Sequence, residues 1–194
     1  MSLLRGVVAW GALALAIAVP LIAAAQSPLL QWREPLYVIA GFSGIIGLAL
    51  LLVQPLLIIG VLPGIPARRI HIWTGTALVF AVVVHVAGLW VTSPPDVVDV
   101  LLFRSPTPFS VWGAVAMWAL FATAILAAVR KQLGLRIWRF GHSVAAVVIV
   151  TGTVVHAWLI QGAMENVTKG ALCVIVLGAG AWALYRRRVW RMIR

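Results

Sequence analysis

Acidic side chains are almost absent from this sequence. Its 194 residues include four Asp and Glu against fifteen Lys and Arg, and 63% of the residues are hydrophobic. With a mean hydropathy of +1.09, the chain has too few polar groups to cover the water-facing surface of a globular domain of this size. The sequence therefore predicts an integral membrane protein. Because the basic residues stand between apolar runs rather than on one folded face, we expect no nucleic-acid partner.

Cysteine is also scarce, and nucleotide-binding motifs are missing. The one cysteine, Cys173, lies inside an apolar run, which excludes an intramolecular disulfide and a cysteine-based metal site. No Gly-rich dinucleotide loop and no flavin site can be found in the chain. We therefore expect residues 1–194 to form a single transmembrane domain with no soluble FAD or NAD domain.

The chain instead contains long apolar runs. Six of them are long enough, or nearly so, to cross a bilayer core of about 30 Å, which predicts an all-α integral membrane protein built as a bundle of six transmembrane helices. A further surface-lying helix is expected at Val97 to Phe103. The first run also resembles a signal peptide, but its apolar stretch exceeds the usual length of about 7–15 residues, which favours a retained anchor. The predicted runs are residues 6–25, 36–60, 70–91, 109–129, 139–161 and 169–185.

The basic residues are distributed unequally between the two sides of these runs. Only Arg33, Arg104 and Lys169 fall on one side, together with all four acidic residues. By the positive-inside rule we predict that both termini are cytoplasmic, in a multi-pass protein of the bacterial inner membrane. The third and fifth runs then cross in the same direction. The twelve basic residues on the other side are Arg5, Arg68, Arg69, Arg130, Lys131, Arg136, Arg139, Arg186, Arg187, Arg188, Arg191 and Arg194.

The four histidines of the chain form two equally spaced pairs within these two runs. His71 and His85 are fourteen residues apart in the third run, and His142 and His156 are fourteen apart in the fifth. On an α-helix this spacing places both histidines of a run within about 40° of one face and about 21 Å apart along the axis. Parallel helices would bring His71 level with His142 and His85 level with His156.

Cofactor ligation explains this pattern better than helix packing does. A single intramembrane histidine could serve as a polar contact between helices, but four with matched spacing indicate a bound group. Zinc would need three or four converging ligands, whereas a haem iron takes two imidazoles from opposite sides. No CxxCH segment is present, so we predict two haems held by coordination, one by His71 and His142 and one by His85 and His156.

Other residues near the histidines could complete such sites. Arg68, Arg69 and Arg139 stand a turn or less from His71 or His142, the histidines expected near the cytoplasmic side, which we call the inner pair. They could pair with haem propionates, although the positive-inside rule alone also explains them. Small residues could let a flat macrocycle enter, or could serve ordinary packing between membrane helices. These small residues are Gly75, Ala145, Ala146, Gly152 and Thr153.

The same residues resemble the ferric reductase-like transmembrane domain family. The resemblance rests on Arg-Ile-His followed by Val-Val-Val-His at residues 69–85, and on Trp-Arg-Phe-Gly-His followed by Thr-Val-Val-His at residues 138–156. Members of that family include ferric reductases, NADPH oxidases and a bacterial haem-binding membrane subunit. The resemblance implies two b-type haems that move electrons outward from the cytoplasmic side. It also implies an electron donor supplied by another molecule, because the larger members carry a flavin domain that we do not find here.

Two functional hypotheses remain open at this stage. The first is an oxidoreductase subunit, a bis-haem b cytochrome that passes electrons from a cytoplasmic flavoprotein or membrane quinol to an external acceptor such as a ferric chelate, oxygen or a periplasmic protein. Reductase activity would then need a partner. The second is a non-catalytic membrane subunit of a larger complex, with histidines or haem in a structural role. A small transporter is disfavoured because the helices lack carboxylates.

Overall fold

The computed structural model describes residues 3–187, and within this range the chain forms seven α-helices and no strand. Six of the helices are long and apolar enough to cross a membrane, judged by length and composition. This confirms the predicted all-α, six-span architecture. The helices are α1 (Leu3–Ala25), α2 (Pro35–Ile58), α3 (Ala67–Thr92), α4 (Pro94–Leu101), α5 (Ser110–Ala128), α6 (Leu135–Leu159) and α7 (Asn166–Arg187).

Five helices begin three or four residues before their predicted starts, and two of them, α4 and α6, show why. The short surface helix α4 begins at Pro94 rather than at Val97, because consecutive prolines fit the first turn of a helix. Helix α6 begins at Leu135, directly after the extended residue Gly134 and four residues before the predicted start, because Arg136 interrupts the apolar run but not the helix. Of the basic residues used to predict orientation, Arg188, Arg191 and Arg194 lie outside the described residues.

Two helical hairpins form the centre of the molecule. Helix α2 packs along α3, and α5 packs along α6, while α7 contacts both α2 and α6 and α1 lies against α7. Glycines let the two helices of each hairpin approach closely. A Cβ at Gly88 of α3 would come within 2.8 Å of Ala40 on α2, and one at Gly152 of α6 within 3.0 Å of the Trp112 carbonyl oxygen on α5. Small residues of this kind let membrane helices pack tightly.

Helices α3 and α6 make few direct contacts with each other, since each packs mainly against its own hairpin partner. The buried core lies instead where α2 meets α7, around Leu48, Leu52, Leu172 and Val176. Large apolar side chains cover the outer surface of the bundle, as expected for lipid-facing helices. The hairpins therefore leave a gap between α3 and α6, the two helices that carry the histidines.

Candidate functional site

The histidines of α3 and α6 face each other across this gap in two pairs. The ring centroids of His71 and His142 are 6.2 Å apart, and those of His85 and His156 are 6.4 Å apart. The planes of the two rings differ by 72° in the first pair and 82° in the second. Because each histidine meets the one at the same position of the other helix, α3 and α6 run in the same direction. The pairing is the one expected from the sequence.

Both histidines of one pair are fixed by hydrogen bonds to backbone carbonyls of the neighbouring helices. Nδ1 of His85 lies 2.7 Å from the Ala40 carbonyl oxygen on α2, and Nδ1 of His156 lies 3.0 Å from the Phe109 carbonyl oxygen at the start of α5. A carbonyl can only accept, so Nδ1 carries the proton and donates in both cases. Nε2 of each ring is then the unprotonated nitrogen, available as a ligand on the side away from α2 or α5.

A glycine makes room for each of these two rings. A Cβ at Gly44 would lie 3.0 Å from Nδ1 of His85, and one at Gly113 would lie 2.6 Å from Nδ1 of His156. Each glycine stands four residues after the residue whose carbonyl accepts the hydrogen bond, so it lies directly beside that carbonyl on the helix surface. Neither glycine is among the small residues that the sequence indicated as possible room for a macrocycle.

The pair formed by His71 and His142 is held differently. The ring of His142 stacks on Trp138, one turn earlier on α6, with centroids 4.9 Å apart and planes 29° apart. Near His71, the Gln54 side-chain amide donates to Thr74 at 2.8 Å and so joins α2 to α3. Nδ1 of both histidines is buried and makes no hydrogen bond within the described part of the chain. This pair therefore lacks the carbonyl acceptors of the other pair.

A cavity of about 290 Å³ surrounds His85 and His156. Its walls are largely apolar and come from α2, α3, α5 and α6, with Gly44, Gly113 and Thr153 among the lining residues. Helix α4, the surface-lying helix expected from the sequence, closes part of the cavity through Val97 and Leu101. An apolar cavity with two imidazoles and few other polar groups is a typical setting for a large planar ligand.

Basic residues stand near each histidine pair. Arg68 and Arg69 are exposed in the first turn of α3, and Arg139 is exposed at the start of the second turn of α6. Arg68 and Arg139 each precede a histidine by three residues and share its helix face, whereas Arg69 precedes His71 by two and points about 160° away. At the opposite end, Arg33 and Lys169 line the cavity around His85 and His156. Sequence reasoning used these two only to predict orientation.

Small residues of α3 and α6 have mixed roles. Thr153 lines the cavity, as expected of a residue that makes room for a ligand. Gly152 instead packs against α5, and a Cβ at Gly75 would meet the Gln54 side chain of α2 at 3.6 Å. These two glycines therefore serve packing within the hairpins, because they lie on the sides of their helices that face α5 and α2. The sequence could not distinguish these sides.

Residues 3–187 contain no group of three or more His, Cys, Asp or Glu side chains placed to hold one metal ion. The histidines therefore act as two separate pairs. In comparisons with known proteins, residues 40–153 match the family model described as ferric reductase like transmembrane component. His71, His85 and His142 lie inside the match, and His156 lies three residues beyond it. The comparisons with curated proteins and with solved structures gave no match.

Proposed function

Because the chain belongs to the family of ferric reductase-like transmembrane components, we propose that it is a bis-haem membrane cytochrome that transfers electrons across the bilayer. Proteins of this family are membrane electron-transfer components that generally bind haem and work with redox partners. In the proposal, His71 and His142 hold one b-type haem, and His85 and His156 hold the other.

The separation of the paired rings carries this proposal. Metal–imidazole bonds are about 2.0 Å long and a ring nitrogen lies about 1.1 Å from its centroid, so two imidazoles on opposite sides of one metal have centroids about 6 Å apart. The two observed separations, 6.2 and 6.4 Å, fit this value. Edge-to-face packing of two rings spans about 4.5–7 Å, so the recurrence of nearly the same separation in both pairs, rather than the value alone, supports ligation.

The side chains and carbonyls around the histidines also suit ligation. Ala40 and Phe109 accept from Nδ1 and thereby keep Nε2 unprotonated, which is the state in which imidazole binds a metal. The stacked ring of Trp138 restricts rotation of His142. Arg68 and Arg139 stand on the histidine faces, where they can pair with propionates.

Haem held by His71 with His142 and by His85 with His156 would supply reversible one-electron chemistry. The contribution of the protein is to hold the imidazoles rigidly and to exclude water. Helices α2 and α5 fix the outer rings, and α4 with the apolar cavity walls separates them from solvent. The two levels are about 21 Å apart along the axis, most of the thickness of the bilayer core.

We assign the His71 level to the cytoplasmic side, with both termini there, because twelve of the fifteen basic residues fall on that side. The donor would be a separate cytoplasmic flavoprotein or membrane quinol, and the acceptor would lie outside the inner membrane, as a ferric chelate, oxygen or a periplasmic protein. The chain would thus be the electron-transfer subunit of an oxidoreductase whose reductase activity needs a partner.

A reduced-minus-oxidised absorption spectrum of the purified protein, combined with haem quantification, tests this proposal. We expect low-spin b-type haem at two per chain, and His85→Ala should remove one haem while leaving the other. Thr76→Val is a matched control on the same helix, because the Thr76 hydroxyl bonds only to the Ile72 carbonyl of its own helix. A colourless protein expressed with ample haem would refute the proposal.

The second candidate is a non-catalytic subunit of a larger complex, and one observation favours it. The hydrogen bonds from His85 and His156 to neighbouring helices are also what purely structural histidines would make. Sealed proteoliposomes distinguish the candidates, with a membrane-impermeant reductant on one side and ferricyanide on the other. Electron transfer to ferricyanide that is lost in His85→Ala supports the first candidate, whereas bound haem without transfer supports the second.

A further inference from the structure

Lys169 is a buried cation in a membrane-spanning helix. It lies in the first turn of α7 with only 3% of its surface exposed. Its ammonium donates to the Ile160 carbonyl oxygen at 2.9 Å. The nearest acidic residue in sequence is Glu165, one turn earlier, whose carboxylate is exposed and accepts from the N–H groups of Val167 and Thr168. Burial of a charge is costly unless a partner of opposite charge offsets it.

Arg33 is the second cation at this end of the molecule. It lies just before α2, and its guanidinium carbon is 4.9 Å from the centroid of the Tyr37 ring. Stacking on an aromatic ring fixes the guanidinium plane and leaves its N–H groups free to bind at their edge. Arg33, Tyr37 and Lys169 all line the cavity that contains His85 and His156.

The two cations lie beyond the histidine rings, towards the outer end of the cavity. Ile160, which binds the Lys169 ammonium, follows His156 by four residues, or about 6 Å along the axis. Arg33 precedes α2, the helix whose Ala40 carbonyl holds His85. Each cation is thus associated with the helix that supports or carries one of the rings. Both residues fall outside residues 40–153, the range matched by the family model.

We infer that Lys169 and Arg33 form a carboxylate-binding site at the outer end of this cavity. An ammonium and a fork-shaped guanidinium beside an otherwise apolar cavity suit a carboxylate, which can accept from both. The inference rests on the proposed function, because the carboxylate comes either from a propionate of the outer haem or from an anionic acceptor such as a ferric carboxylate chelate. The bound carboxylate would add to the opposite charge that Glu165 already offers the buried ammonium.

Redox titration of the purified protein, without acceptor, tests the first source. We compare Lys169→Met and Arg33→Gln with the wild type, after confirming haem content. A cation close to a bound haem would favour its reduced state, so loss of the cation should lower the reduced-to-oxidised ratio of one haem about tenfold at fixed potential. This corresponds to about 59 mV for a one-electron couple. The affected haem should be the one that His85→Ala removes, and Lys169→Arg should restore the wild-type potential.

Reoxidation of the pre-reduced protein tests the second source. If the carboxylate belongs to an acceptor, Lys169→Met and Arg33→Gln should slow reoxidation by ferric citrate about tenfold, with both haem potentials unchanged. Reoxidation by hexaammineruthenium(III), a cation, should not slow. Arg104→Gln is the matched control, because Arg104 is the remaining outer-side cation and lies exposed in the loop after α4.

Either of these results supports the carboxylate site, and together they identify its source. The inference would be overturned if Lys169→Met and Arg33→Gln kept the wild-type haem content and potentials and reduced ferric citrate as fast as Arg104→Gln does. If Lys169→Met does not fold, Arg33→Gln decides between these outcomes, since Arg33 is exposed and precedes the helix. A wild-type protein without haem would refute the proposed function itself, which is a separate result.

Discussion

Gly113 lies against the ring of His156, so its substitution tests how the outer histidine pair is held. In Gly113→Ala, the new Cβ would lie 2.6 Å from Nδ1 and 2.9 Å from Cε1 of His156. The ring would have to withdraw by about 1 Å to reach ordinary contact distance. That movement breaks the hydrogen bond to the Phe109 carbonyl, and a buried N–H left without an acceptor costs about 1–3 kcal/mol. We therefore expect the outer haem to bind about 10–100-fold more weakly.

Two measurements test this prediction. The first is the haem content per chain as the apo-protein is titrated with haem, and the second is the redox potential of each bound haem. Gly44→Ala should act in the same direction but less strongly, because its Cβ would lie 3.0 Å from Nδ1 of His85. The inner haem is the internal control, and Gly178→Ala is the matched variant, since a Cβ there meets nothing within 4 Å. Two tightly bound haems with unchanged potentials in Gly113→Ala would refute the reasoning.

Two further predictions concern the ring planes and the start of α7. The imidazole planes within each pair are 72° and 82° apart, and near-perpendicular axial imidazoles keep two iron d orbitals close in energy. Both ferric haems should therefore give highly anisotropic low-spin electron paramagnetic resonance signals, and ordinary rhombic signals would contradict the geometry. Hydrogen bonds from Thr168 and Val167 hold the pKa of Glu165 below its ordinary value of 4.5. Its stabilising contribution is present above that value and is lost as pH falls through the lowered pKa. Wild type should thus lose thermal stability on acidification more steeply than Glu165→Gln, and parallel melting curves over this range would contradict the prediction.

The sequence predicted the elements and the histidine pairs because both depend on periodicity within single helices. Apolar length defined the six spans, and the fourteen-residue spacing placed two histidines on one face of α3 and two on one face of α6. The unequal distribution of Lys and Arg predicted that these helices are parallel. The pairing of His71 with His142 and of His85 with His156 then required no further information.

Residues that support the histidines from other helices could not be predicted in this way. The role of Gly113 depends on the side of α5 that meets His156, and the role of Lys169 depends on where α7 crosses the cavity. Such relations are set by packing between helices that are distant in sequence. The same limitation explains why the sequence left Gly152 open between room for a macrocycle and helix packing, whereas in the structure it packs against Trp112 and Ala116 of α5.

At the proposed outer haem site, two influences would act on a bound haem in opposite directions. Hydrogen bonds from His85 and His156 to carbonyls make the imidazoles more basic and so favour the ferric state, whereas Lys169 and Arg33 favour the ferrous state by their charge. The inner histidines lack these acceptors. A loss of the carbonyl bonds should therefore raise the outer potential, and a loss of the cations should lower it. The sign of the shift thus identifies which of the two influences a variant has removed.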